Sequence, residues 1–141
     1  MSGAPWTTTV KIRFAHCDPA GIVYFASHFD ILNGVVEDWF SDGLGLPYHG
    51  LIGRRRVGLG YVHAGADFRL PARMGERLTY AVAVERIGSR SLPLKVTATR
   101  DGAEVLTASL VIVTTDIDRA KAIPIPDDIR AAVTAYREKT A

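Results

Sequence analysis

The sequence predicts an α+β fold in which one antiparallel sheet wraps one long apolar helix. Three observations point there. Apolar residues between Ile22 and Asp42 recur at helical spacing. Four long segments rich in β-branched residues follow that stretch with no second long helix between them. Two of those segments are joined by Asp101-Gly102, a strong hairpin signal because glycine readily takes positive φ.

Each element can be justified in turn. Thr7 to Ala15 alternates, with Val10, Ile12 and Phe14 on one side and Lys11 and Arg13 on the other, which predicts a strand buried on one face. Pro19 and Gly21 end it. In the helix, Phe25, Phe29, Leu32, Val36, Trp39 and Phe40 stand three or four residues apart and form one apolar stripe, which Gly34 weakens slightly. The helix is expected to stop at Asp42-Gly43, and the Gly- and Pro-rich GLGLPYHG that follows reads as a loop. Strands are expected over Val57 to Leu70, Arg77 to Gly88, Ser91 to Arg100 and Ala103 to Asp118. The last of these holds VLTASLVIVTTDI, a run suited to a central strand. After Pro124 and Pro126, DDIRAAVTAYREK predicts a short amphipathic helix with acids in its first turn and bases in its last. The helix covers one face of the sheet, so the other face or an edge invites self-association.

The chain has 141 residues, which suits a single domain over residues 1–141. It is 48% hydrophobic and 23% charged, enough to bury a core. A formal charge of +2 gives no case for nucleic acid, and Arg54-Arg55-Arg56 reads first as a solvated loop. One cysteine, Cys17, excludes an intramolecular disulfide. No signal peptide or membrane span is evident, so a cytoplasmic protein with no membrane partner is expected.

The chemistry concentrates in HCDPAGIVYF, residues 16–25. Cys17 is a poor nucleophile candidate, because adjacent strand side chains point apart and Cys17 turns away from His16 and Asp18. Four scattered histidines lack metal-ligand spacing, so no metal and no cofactor are expected. GLGYV lacks the third glycine of a dinucleotide loop. Asp18 is the stronger signal. The first N–H groups of a helix have no intrahelical partner and carry partial positive charge, so they can hold the oxygen of a polarised carbonyl. A carboxylate just upstream can face that carbonyl carbon. It can equally cap the helix or shape the turn, and the residues alone leave both roles open.

DPAGIVYF, between an alternating strand and a long helix, resembles the active-site signature of the 4-hydroxybenzoyl-CoA thioesterase family of hotdog-fold enzymes. The resemblance covers most of the chain. It implies a five-stranded antiparallel sheet around a central helix, and a homodimer or homotetramer with active sites at subunit interfaces. It also implies acyl-CoA thioester hydrolysis, with an aromatic acyl group the leading expectation. By position, Asp18 matches the catalytic carboxylate, the Phe25 N–H the carbonyl donor, and Gly21 and Tyr24 the turn and helix entry. Phe25 stands where related Tol–Pal-associated thioesterases often carry histidine, which moves the chain toward the aroyl-CoA branch. There a polar residue near Asn33 can read a ring hydroxyl, with Phe29 on the same apolar stretch. Arg90 and Ser91, in ERIGSRS, and Lys121 match positions that hold CoA phosphates, although Gly88 and Ser89 stand where a base is expected. The alternatives are a short- or medium-chain acyl-CoA thioesterase, a non-catalytic acyl-CoA-binding module, and a thioester hydratase using His28 or His63.

Overall fold

The computed structural model describes residues 3–141. Strand β1 (Thr7–Lys11) leads into the central helix α1 (Phe25–Asp38). Strands β2 (Val57–Phe68), β3 (Arg77–Val84), β4 (Ser91–Arg100) and β5 (Ala103–Asp116) follow, then a two-residue β6 (Lys121–Ala122) and helix α2 (Asp127–Thr140). The sheet runs β1-β3-β4-β5-β2, every pair antiparallel, with β6 added on β5. This is the hotdog arrangement that the resemblance implied, with β6 as a small sixth strand.

Burial alternates along the inner strands as a one-sided sheet requires. Leu78, Tyr80, Val82 and Val84 of β3 face inward with Leu92, Leu94, Val96 and Ala98 of β4. Against them α1 sets Ile31, Leu32, Val35 and Val36, all nearly inaccessible. Each such side chain contributes about 1.5–3 kcal/mol by leaving water. Trp39 and Phe40 continue the stripe in a π-helical turn, Trp39–Gly43, and pack edge to face at 5.1 Å.

Several element ends differ from the sequence expectation: β2, β3 and β5 end at Phe68, Val84 and Asp116 rather than Leu70, Gly88 and Asp118. β1 stops at Lys11, because Phe14–His16 turns as a 3-10 helix and leaves Phe14 exposed. The helix begins at Phe25 rather than Ile22, because Ile22 and Val23 are extended and bridge to Arg73 and Cys17. The loop after α1 contains a second π-helical turn, Gly50–Arg54.

β2 is an edge strand for most of its length. Val57, Gly58 and Leu59 are buried, but the strand from Gly60 onward is exposed or half-buried. Tyr61, Val62 and Phe68 are among its exposed apolar side chains. A long apolar edge of this kind is a template for pairing with another strand.

Helix α2 closes the far end of the core with Ile129, Val133 and Tyr136. The Tyr136 ring stands edge to face on Trp39 at 5.3 Å. Its hydroxyl donates to the Val82 carbonyl of β3 and accepts the Trp6 N–H at 3.0 Å. Tyr136→Phe leaves both partners unpaired, and a buried unmatched polar group costs about 1–3 kcal/mol. Urea unfolding should therefore show a loss of about 2 kcal/mol, with the fold retained.

Candidate active site

The site begins with a tight turn. Asp18 at its first position, Pro19 at its second and Gly21 at its fourth are the residues that such a turn favours. The Gly21 N–H closes it on the Asp18 carbonyl at 2.9 Å, and the Asp18 N–H meets the Ile22 carbonyl at 3.0 Å. Gly21 takes φ +78°, and its carbonyl accepts the Met74 N–H at 3.0 Å. The Val23 N–H donates to the Ala72 carbonyl at 2.8 Å. The turn is thus stitched to the connection between β2 and β3. Within it, Asp18 is half-buried and its Oδ1 accepts the Ala20 N–H at 2.8 Å. The carboxylate shapes the turn with one oxygen and does not cap the helix.

Helix α1 starts without a side-chain cap. Tyr24 is the flanking residue, extended at φ −65° and ψ 130°, with its N–H on the His16 carbonyl at 3.0 Å. The Ser27 N–H turns back to the Tyr24 carbonyl. The Phe25 N–H comes first in the helix, where no intrahelical acceptor exists. The Tyr24 and Phe25 rings are 50% and 61% exposed and tilt on each other at 5.1 Å, so this end of a buried helix is open. Beside it lies a cleft of about 290 Å³ lined by Phe25, His28, Phe68 and Leu70 among others.

A small apolar pocket of about 90 Å³ lies farther along the helix between α1 and β2. Phe29, Leu32, Ala64 and Leu110 give it apolar walls, and Asn33 and Tyr61 supply its polar groups. The Tyr61 hydroxyl donates to Asn33 Oδ1 at 3.0 Å. Burial, with a smaller effect from Tyr48, pushes the Tyr61 hydroxyl above the ordinary tyrosine range and keeps it a neutral donor. Phe29 meets Phe68 edge to face at 6.3 Å, so the cleft and the pocket share a wall.

Arg90, Ser91 and Lys121 gather elsewhere. Thr114 takes the Arg90 carbonyl through its N–H at 3.1 Å, while its hydroxyl donates to the Ile123 carbonyl at 2.8 Å. This brings the Arg90 and Lys121 segments to one corner, and both residues are exposed there. Ser91 opens β4 half-buried. The Asp18 turn adjoins the other end of the strands, where β3 begins. The eight residues of β3 separate the two ends by roughly 25 Å at ~3.3 Å per residue. Within one chain the basic corner and the Asp18 turn are not brought together.

The remaining candidates have structural partners. The Cys17 thiol donates to the Arg13 carbonyl at 3.4 Å, and His16 Nδ1 accepts the Arg13 N–H at 2.9 Å. The Arg54–Arg56 run is more than a solvated loop. Arg55 forks onto both Asp128 oxygens at 2.6 and 2.8 Å, which holds the Asp128 carboxyl below its usual range, and Arg56 pairs with Asp118 at 3.0 Å. His63 lies exposed on β2. Among the described residues no three of His, Cys, Asp and Glu gather as a metal site, and no helix is long and apolar enough to cross a membrane.

Residues 12–133 match the family model of the thioesterase-like superfamily. The chain belongs to that superfamily. It is 28% identical over 138 residues to the 1,4-dihydroxy-2-naphthoyl-CoA hydrolase of Synechococcus, covering 92% of this chain and 90% of that one. The 1,4-dihydroxy-2-naphthoyl-CoA thioesterase of Synechocystis has the same fold at a TM-score of 0.82, with 22% identity over 93% of this chain and 96% of that one. A Staphylococcus aureus protein solved in complex with CoA superposes at a TM-score of 0.87, with 16% identity over 100% of this chain and 89% of its own.

Membership in the thioesterase-like superfamily makes the chain a thioesterase and agrees with the enzyme class expected from DPAGIVYF. Sequence reasoning did not find Tyr61 or Phe68, since strand pairing across the fold decides their approach to α1. It met His28 as a metal-ligand or hydratase candidate and not as part of the thioesterase site. The helical spacing Phe25–His28–Phe29 could have placed His28 at the entry. The Asp18 turn depends on Gly21 at positive φ, where a Cβ costs about 1–2 kcal/mol. Gly21→Ala should lower stability by that amount in denaturant titration, and turnover should fall further as the turn shifts.

Proposed function

We propose that the chain hydrolyses an aromatic acyl-CoA to the free acid and CoA. The observation that carries this reading is the uncapped start of α1, with the Asp18 turn laid beside it and one carboxylate oxygen already committed to Ala20. In this reading the Phe25 N–H donates to the thioester carbonyl oxygen and stabilises the negative charge that develops there. Asp18 Oδ2 faces the carbonyl carbon, either as the attacking nucleophile or as the base that deprotonates the attacking water. The C–S bond breaks and CoA leaves as a thiolate, a good leaving group that requires no metal; on the nucleophilic route water then opens the Asp18–acyl anhydride and releases the acid.

The acyl group enters beside Phe29, and Asn33 with Tyr61 reads a hydroxyl on its ring. The names of the Synechococcus and Synechocystis relatives, both hydrolases of a dihydroxylated aromatic acyl-CoA, support this assignment. Arg90, Ser91 and Lys121 hold CoA phosphates from a neighbouring copy, which fits the separation of the basic corner from the turn within one chain. The copies pair through the exposed β2 edge as a dimer, or as a tetramer built from dimers. Each copy is one catalytic domain, placed here in the cytoplasm.

Four experiments test the reading. Asp18→Asn keeps the acceptor for the Ala20 N–H, so the turn and fold survive while nucleophile and base are lost. Turnover should fall at least ~10³-fold with KM changed little, given that a general base alone contributes ~10²–10⁴. A folded variant retaining a tenth of wild-type turnover would reduce Asp18 to a turn former. Single turnover in ¹⁸O-water then separates the roles: base action labels the first acid released, whereas direct attack, with water opening the anhydride at the Asp18 carbonyl, leaves it unlabelled. For specificity, kcat/KM should favour hydroxybenzoyl-CoA over octanoyl-CoA. Asn33→Ala should narrow the gap between hydroxybenzoyl- and benzoyl-CoA several-fold, the worth of one hydrogen bond of ~1 kcal/mol. A preference for octanoyl-CoA would overturn the aromatic assignment.

A further inference from the structure

His28 is a polar side chain in a place that offers it nothing. It is 5% exposed, one turn into α1, with its ring on Phe68 at 5.2 Å and 33°. Its Nδ1 is sealed from solvent without a hydrogen-bond partner. Such atoms are uncommon in native interiors and ask for an explanation. A phenylalanine would fill the same space against Phe68 with no polar atom to bury.

Its position supplies the explanation. Helical side chains lean toward the N-terminus and cover the turn before their own Cα. From position 28 that turn contains Phe25, three residues back, whose N–H lacks an intrahelical acceptor. Phe25 and His28 line the same cleft. Burial, and to a smaller degree the nearby His16, holds the imidazole below its ordinary pKa, so the ring is neutral and carries one N–H. An orphaned buried lone pair is better tolerated than an orphaned N–H. The proton therefore sits on Nε2, and Nδ1 keeps the lone pair.

We propose that His28 is a second oxyanion donor, its Nε2–H joining the Phe25 N–H on the thioester carbonyl oxygen. The assignment rests on the thioesterase reading above and adds a catalytic residue to it. A neutral imidazole can polarise a carbonyl in this way without transferring its proton. No bond to His28 forms or breaks. It strengthens its hydrogen bond as the carbonyl oxygen gains charge and relaxes when the acid leaves.

Three replacements separate this role from packing. His28→Phe keeps the ring on Phe68 and removes a buried orphan atom, so the melting temperature should hold or rise. Its kcat on hydroxybenzoyl-CoA should fall about 10²-fold, the usual loss for one oxyanion donor, with KM within a few-fold. His28→Gln, whose amide can place an N–H where Nε2–H stood, should recover a substantial part. His28→Asn, which reaches only as far as Nδ1, should not. A His28→Phe enzyme within threefold of wild-type kcat, beside an inactive Asp18→Asn, would overturn the donor role and leave the proposed function standing. A second readout does not need turnover. In ¹⁵N-histidine-labelled wild-type protein, a hydroxybenzoyl-CoA ketone analogue, with CH2 in place of sulfur, should shift the His28 Nε2 resonance. No shift on saturation overturns the inference. A shift in a protein that releases no thiol from any aroyl-CoA would keep the contact and reject hydrolysis.

Discussion

The burial of α1 governs the rest of the molecule. A helix with Ile31, Leu32, Val35, Val36, Trp39 and Phe40 on one stripe must be covered along its length, about 21 Å for 14 residues at ~1.5 Å each. The sheet strands are long enough to cover it, and α2 closes the end beyond Trp39. Beyond the polar face of Asn33, Gly34, Glu37 and Asp38, the end at Tyr24 and Phe25 stays open. That end is the N-terminus, where N–H groups point outward and the macrodipole is positive. The electropositive opening in an apolar wall therefore follows from how the helix is packed.

The turn at Asp18 acquires its meaning from the same packing. Pro19 and Gly21 make it tight, but the Ala72 carbonyl and the Arg73 bridge fix where it sits. These contacts keep Ile22 and Val23 extended, so the chain becomes helical only at Phe25. The sequence pattern extends the helix to Ile22 because apolar residues there continue the stripe, and periodicity cannot show that two of them serve a bridge instead. Likewise β1 reads four residues too long, since Phe14 continues the alternation although the chain turns away beneath it.

What was legible in the residues was local. Helix period, strand alternation, the Asp101-Gly102 hairpin and the DPAGIVYF turn each depend on neighbours in sequence. Tyr61 could not be found in this way, because its hydrogen bond to Asn33 joins positions 28 apart on different elements. Phe68 reaches His28 and Phe29 only after β2 has paired with β5 in the observed register. The arginine run was misleading for the same reason. Its partners, Asp128 and Asp118, lie more than 60 residues farther along the chain.

The uncapped helix start is the feature that most resists a purely structural explanation. An N-cap side chain typically adds about 1 kcal/mol to a helix, and Ser, Thr, Asn or Asp at position 24 would supply one. The chain has Tyr24 there and spends the nearby carboxylate on the turn at Ala20. It also buries a histidine without a partner for Nδ1. Both choices forgo stability at the same end of the same helix. In the proposed mechanism a cap would occupy the donors that the carbonyl oxygen uses, and an apolar residue at position 28 would leave that oxygen with one donor fewer. Stability withheld at the open end of the helix is what the proposed site, poised to stabilise a developing charge, would require.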